Sequence, residues 1–359
     1  MNLLGLMSFG LLAALAAPGV VSAQTKPPAE VPAELFENVR VFDGKGDRLS
    51  APSNVLVVGN TIRAISSAPI AAPAGPAMTR IAGGGRTLMP GLIDAHAHLM
   101  FATVPQAVVL TGDIGFVYVA ATKAAEDMLM RGFTSVRDLG GPVLGLKRGI
   151  DAGLAPGPRI WPSGAFISQS GGHGDFRLPN DLPARPGDFT FSERVGAAAI
   201  ADSPDLVRQR VREQLALGAS QIKLMAGGGV ASSYDPLDVT QYSVPELRAA
   251  VEAAENWGTY VTVHAYTPRA VRQAIEAGVK CIDHGHLLDD ATADNAELLA
   301  LSGLRSPYPG KLGVVEVGAL ADLLLVGGDP IADIKLIEDP AKNLVVIMKD
   351  GAIFKNALK

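Results

Sequence analysis

Leu88 to Leu99 reads Leu-Met-Pro-Gly-Leu-Ile-Asp-Ala-His-Ala-His-Leu, an apolar run that enters through a Pro-Gly turn and ends in His96 and His98. Side chains alternate along a strand, so residues two apart leave it on the same side. The two imidazoles therefore project together. Such a pair suits a borderline divalent cation such as zinc, and Asp94, of the same parity, stands where it can orient a ligand from behind. The plainer reading is a His-Ala-His that caps a strand at the surface; the Pro90-Gly91-Leu92-Ile93-Asp94-Ala95 approach favours the metal.

Met89-Pro90-Gly91-Leu92-Ile93-Asp94-Ala95-His96-Ala97-His98 resembles the first-strand signature of the metal-dependent amidohydrolase superfamily. The branch it resembles is the imidazolonepropionase-like and prolidase-like one, which includes dipeptidases and ochratoxin-hydrolysing amidohydrolases. The resemblance implies an α/β fold, a (β/α)8-type TIM barrel whose chemistry sits at the C-terminal ends of the strands. It also implies two divalent metal ions, above all Zn2+, bridged by a hydroxide that attacks a carbonyl carbon.

The chain carries a formal net charge of −5 and no basic cluster, so it has no electrostatic footprint for nucleic acid, and a small-molecule substrate is the default. Cys281 is the sole cysteine, which rules out an intrachain disulfide; its apolar strand makes it a buried packing residue. Leu3 to Ala17 is apolar but short for a bilayer span, and Val21-Ser22-Ala23 offers a cleavage site ahead of Gln24. Residues 1–23 therefore read as an export signal, to the periplasm or the exterior, although no Lys or Arg flanks the run; an uncleaved anchor is the second reading. Residues 24–33 read as a Pro-rich linker, and no later apolar run is long enough to span a membrane.

Residues 34–90 alternate short β-rich segments with turn signals, as in Val39 to Gly44 and Asn54 to Ile62. The same grammar returns over 305–359, at Leu312 to Val315, Ala321 to Val326, Leu344 to Met348 and Ala352 to Phe354. Two β-rich ends around an α/β middle predict one small β-sandwich built from both termini. Residues 91–304 read as strand-then-helix repeats, with strands at Leu92, Phe133 to Arg137, Arg159 to Pro162, Gln221 to Met225, Tyr260 to His264 and Lys280 to His284. Helices fit between them, such as Pro204 to Leu217, after Ser203 and before Gly218, and Val244 to Trp257, stopped by Gly258. That makes six parallel β/α units, two fewer than the barrel implied by the resemblance.

Lys223 lies in an apolar strand that runs into Gly227-Gly228-Gly229, and a buried ammonium needs a partner. From the residues alone it snorkels out of a strand end; the resemblance implies instead a carboxylated Lys223 that bridges two metals. His264 and His284 each close a strand, where a barrel puts its chemistry. By the resemblance, His96 and His98 hold one metal, His264 and His284 the other, with Lys223 between; His286 fits less well because the ligand stands directly before glycine. His173, in Gly171-Gly172-His173-Gly174-Asp175, is a substrate-contact candidate beside the alternative of a surface loop. Tyr234 is another, beside the alternative of a packing tyrosine. Arg137-Asp138 reads as a structural ion pair or a support behind the site.

The resemblance, which covers residues 34–359, also implies an aspartate at the end of an eighth strand, which the chain lacks, and by that resemblance units seven and eight are missing between about Asp294 and Asn295. Asp289 or Asp290, after the sixth strand, would be makeshift substitutes. A barrel short of two strands exposes sheet edges, which favours a homo-oligomer. The expected activity is hydrolysis of an N-acyl amino acid or dipeptide. The alternatives are a truncated relative that binds metal or ligand without turnover, and a hydrolase of cyclic amides or lactones.

Overall fold

The computed structural model describes residues 31–73, 77–102, 104–182, 185, 188–232, 234–285 and 299–358. The expected export signal, most of the linker, His286, Asp289, Asp290 and the Asp294-Asn295 junction lie outside the described residues.

The first β-rich region forms β1 (Ala33–Val41), β2 (Ser53–Val58), β3 (Thr61–Ser66), β4 (Met78–Ala82) and β5 (Thr87–Pro90). β2 and β3 make an antiparallel hairpin whose turn falls at Gly59-Asn60, with Gly59 at φ +60°. β6 (Leu92–Ala97) then opens the middle region. It continues through α1 (Gln106–Thr111), α2 (Ile114–Met130), β7 (Phe133–Asp138), α3 (Leu144–Asp151), β8 (Arg159–Pro162) and β9 (Phe166–Ser168). After these come α4 (Phe191–Arg194), β10 (Ala198–Ile200), α5 (Pro204–Leu217), β11 (Ile222–Met225), α6 (Val244–Glu255), β12 (Val261–Ala265), α7 (Pro268–Ala277) and β13 (Cys281–His284).

The middle strands are parallel, in two ladders ordered β6-β7-β8 and β10-β9-β11-β12-β13. All six expected strands form. β9 and β10 are additional, and at three residues each they are too short to show a period. Among the described residues no ladder joins β13 to β6.

Local chemistry starts and stops the helices. Ser203 Oγ accepts from Leu206 N at 3.3 Å, Pro204 takes the first helical position, and Gly218 ends α5 at φ +106°. α6 ends at Glu255, short of Trp257, because Trp257 and Gly258 N–H bond back to Ala254 and Glu255 in a closing turn. Val207, Val211, Leu247 and Val271 of α5, α6 and α7 pack on Ile222, Leu224, Val261 and Val263. Alternation then turns Lys223, Met225, Thr262 and His264 to the inner face.

β14 (Leu323–Val326), β15 (Leu344–Lys349) and β16 (Ala352–Asn356) join the first strands in one eight-stranded sheet, ordered β16-β15-β14-β5-β1-β2-β3 with β4 beside β1. β1 belongs to both halves. Ala33 to Glu37 pair with β4 and its later residues Arg40 and Val41 with β5, while the ladder to β2 shifts between Phe36 and Val39 and Asn38 sits at φ +52°. The sheet folds there over a shared core that includes Phe36, Ile62, Leu88, Leu325 and Met348. The two ends do build one β unit, as a single folded sheet. Leu312 to Val315, expected as a strand, is a loop tied by Val315 N to Asp43 O at 3.1 Å.

Candidate active site

A cavity of about 430 Å³ opens at the C-terminal ends of β6, β11, β12 and β13. Its polar wall includes His96, His98, His173, Lys223, His264 and His284, with Gln106 and Tyr266, which brings the metal-ligand candidates together with His173. Phe101, Phe166, Phe176, Met225 and Val230 make the apolar wall. A larger hollow of about 630 Å³ lies outside the strands between α3 and α5, but its lining holds no histidine or lysine, and its Arg210 is bonded to Glu213. The candidate ligands line the smaller cavity.

The imidazoles form a chain. Ring centroids are 5.1 Å apart for His98 and His96, 4.6 Å for His96 and His284, 4.6 Å for His284 and His264, and 4.1 Å for His264 and His173, which stack. β13 pairs Cys281 with Thr262 and Asp283 with His264, and Ile282 packs toward the helices. Alternation alone would therefore send His284 outward. It sits instead at φ +78°, a left-handed conformation costly for a side-chain-bearing residue, and its ring lies between His96 and His264.

Burial pushes the His98 imidazole down to about 3, and burial with the neighbouring His173 pushes His264 down to about 2. His96 and His173 are lowered for the same first reason. These rings are neutral near pH 7 and keep lone pairs for a cation. Lys223 is 1% exposed, and its Nζ donates to Asp283 Oδ2 at 2.5 Å. Burial lowers its pKa even against Asp283. Burial alone would raise Asp283, but Lys223, His96 and Arg137 overrule it and hold the carboxyl well below its usual range. Arg137 Nη2 donates to Asp283 Oδ1 at 2.5 Å, Thr262 Oγ1 to Oδ2 at 2.7 Å, and Arg137 Nε to Ala95 O at 2.7 Å.

Among the described residues, no three His, Cys, Asp or Glu side chains converge as a ready-made metal cage. The donor set still fits a divalent metal in kind: neutral imidazoles beside a buried lysine, with an apolar wall to exclude water. With Lys223 as an ammonium, its positive charge stands among the imidazoles and opposes a second cation.

Several expected roles change. Tyr234 is 38% exposed, lies outside the cavity lining, and its hydroxyl donates to the Arg177 carbonyl. Asp94 does not orient a ring: its Oδ1 accepts from the backbone N of His96 at 2.9 Å. Arg137 and Asp138, adjacent on a strand, face opposite ways and are not paired with each other. Asp138 instead accepts from Leu99 N at 2.8 Å and Gly140 N at 3.2 Å, fixing the backbone beyond His98, and burial raises its pKa to about 7. Cys281 is half-buried, with Sγ 3.4 Å from Arg137 Nη1. His173 Nδ1 lies 2.5 Å from Ser232 Oγ and 4.0 Å from Asp235 Oδ2. Asp283 was missed at the sequence level; its parity with Cys281, opposite to outward Ile282, was the available signal.

The amidohydrolase family model matches residues 87–304. Ochratoxinase of Aspergillus niger is 34% identical over 224 residues, covering 56% of this chain and 44% of that protein, so the chain spans less than half the length of this curated relative. A prolidase crystallised with N-methylphosphonate-L-proline superposes with a TM-score of 0.79 at 30% identity, over 90% of this chain and 100% of that one. The crystal structure of the A. niger ochratoxinase gives 0.74 at 23% identity over 91% and 96%, a likeness of fold. The cavity at the strand ends is thus where this architecture carries its chemistry, and the chain belongs to the amidohydrolase family.

Proposed function

We propose that the chain is a metal-dependent hydrolase that cleaves the amide or peptide bond of an N-acyl amino acid or dipeptide. The observation that carries this reading is the single cavity wall that gathers His96, His98, Lys223, His264 and His284. A prolidase and an ochratoxinase among the relatives support the bond type. When bound, divalent metals supply Lewis acidity, which polarises a carbonyl and acidifies water. His96, His98, His264 and His284 would hold them, with a carboxylated Lys223 between. Phe101, Phe166 and Phe176 would seat an apolar substituent and keep bulk water away. His173, its Nδ1 tied to Ser232, would orient the substrate at the opposite side of the cavity. Export belongs to the same reading, supported by the apolar run Leu3 to Ala17.

The second reading is a relative that binds metal or ligand without turnover, and it is favoured by the lack, in the sequence, of the eighth-strand aspartate that the resemblance implies. Elemental analysis of purified protein, with a panel of N-acyl amino acids and dipeptides, separates the two. Turnover that chelator abolishes and zinc restores supports the hydrolase. Bound zinc with no turnover supports the second reading, and no zinc sinks both.

A further inference from the structure

We propose that Asp283 is a metal-facing carboxylate of this centre, supplied by β13 beside His96 and His98. The proposal rests on the metal-dependent reading of the site.

Position comes first. Asp283 shares the inner face of the strands with Lys223, Thr262 and His264, is 4% exposed, and lies directly behind the cavity lining, against Lys223 and His96, which line it. Its Oδ1 is 3.6 Å from His96 Nδ1. That is long for a hydrogen bond, yet close to the roughly 3.3 Å that separates two ligand atoms on a tetrahedral zinc with bonds of about 2.0 to 2.1 Å.

Orientation comes second. The carboxylate is held by Arg137 at 2.5 Å and Thr262 at 2.7 Å, and Arg137 is itself anchored on Ala95 O at 2.7 Å and Tyr260 Oη at 2.9 Å. Bound carboxylates are characteristically braced by such hydrogen bonds. Arg137 thereby ties β6, β7 and β13 together across the side where no ladder joins β13 to β6 among the described residues.

Charge comes third. Asp283 Oδ2 now takes a hydrogen bond from the Lys223 ammonium at 2.5 Å. Carboxylation of Lys223 joins Nζ to the carbon of carbon dioxide and releases protons, leaving an anionic carbamate. The ammonium partner of Asp283 then becomes a second buried anion; Arg137 balances one of the two, and the other requires a further cation beside it. Asp283 thus passes from a lysine counter-ion to a metal-facing group without having to leave its Arg137 brace.

The test uses the full chain, stripped with chelator and reloaded with Zn2+ or Co2+ in bicarbonate buffer, as wild type and as Asp283→Asn. Metal per chain, affinity against a competing chelator and the visible spectrum of the cobalt form are measured. We expect about two metals on the wild type, and on Asp283→Asn the loss of one of them with a shifted cobalt spectrum; two metals held roughly tenfold to a hundredfold more weakly with an unchanged spectrum would make Asp283 a brace on His96 and overturn the proposal. A purely structural role would lower the melting temperature and leave the spectrum alone. Two metals held by Asp283→Asn at wild-type affinity with an unchanged spectrum overturn the proposal while leaving the hydrolase reading intact. A wild type that binds no metal overturns both. Because Asp283→Asn leaves Arg137 short of a counter-charge, Arg137→Gln/Asp283→Asn stands in if the single variant does not fold. Failure of both to fold makes Asp283 structural and overturns the proposal.

Discussion

Arg159 Nη1 donates to both carboxylate oxygens of Asp322, at 3.0 and 2.9 Å, and its Nη2 reaches Asp350 Oδ1 at 2.8 Å. Arg159 belongs to β8 and Asp322 precedes β14, so this buried cluster pins the parallel strands to the terminal sheet. The Arg159 and Asp322 side chains are 4% and 3% exposed.

Removing one member strands the other's charge in the interior. Arg159→Met is expected to destabilise the protein by about 3 to 5 kcal/mol, whereas replacing both members by apolar residues of matching volume should be far milder. Urea denaturation of Arg159→Met and Arg159→Met/Asp322→Leu checks this; equal losses for the two would sink it.

Gly228 and Gly229 forbid a Cβ for different reasons. At Gly229 the added atom falls 1.9 Å from His173 Cε1, the end of a side chain that can swing away; at Gly228 it falls 1.8 Å from the Pro236 carbonyl oxygen. Gly229→Ala is therefore expected to fold and to displace His173, lowering kcat/KM on any substrate the protein turns over by roughly tenfold to a hundredfold. Gly228→Ala is expected to act on stability instead. Melting temperature measured beside kcat/KM separates the two, and a Gly229→Ala enzyme with unaltered kinetics would remove His173 from the substrate's surroundings.

The strand pattern, and the gathering of His96, His98, Lys223, His264 and His284 at strand ends, were legible because each sits in a local apolar run with a clear end. Asp283 was not, because it stands between two residues that draw attention for other reasons and its partners Lys223 and Arg137 lie 60 and 146 positions away. The hydrogen bond of Tyr234 was hidden for a related reason. A tyrosine beyond a strand end signals a hydroxyl near the mouth, but its partner, the Arg177 carbonyl, is 57 positions earlier and fixed by the Asp175–Arg177 pair. Folding of the terminal sheet at Asn38 was equally hidden, since nothing in a nine-residue β-rich segment marks where its partner changes.

Metal-free protein is expected to lose stability as the pH falls below about 6.5. His98 and His264 titrate at about 3 and about 2 in the folded chain, so between roughly pH 4 and 6.5 each takes up a proton only on unfolding. Stability from these rings is complete above the unfolded histidine value and is lost as pH falls toward the folded values. Asp138, raised to about 7, works the other way over the same window, because the folded form keeps a proton that the unfolded form gives up. His96 and His173, also lowered, act with these two rings, while Glu34 and Asp322, raised by burial, act with Asp138, so four imidazoles stand against three carboxyls. The imidazoles outnumber the opposing carboxyls, so stability should rise with pH across that window. Urea midpoints in chelator at several pH values measure the slope; a flat or falling trend would contradict neutral buried imidazoles.

Tyr234 offers a test with a predicted silence. Its hydroxyl donates to a backbone carbonyl in the loop that carries Asp175 and Arg177, and the ring is 38% exposed beside the cavity rather than in its lining. Tyr234→Phe removes one partly exposed hydrogen bond, which is expected to lower stability by about 1 kcal/mol. The same change should leave KM and kcat untouched, because no contact with the imidazole wall is lost. Had the hydroxyl been aimed at a substrate carboxylate, its removal would raise KM by roughly tenfold, the worth of a hydrogen bond to a charged group. Steady-state kinetics on Tyr234→Phe thus decide between a loop brace and a substrate contact, and only the brace agrees with the bond to Arg177.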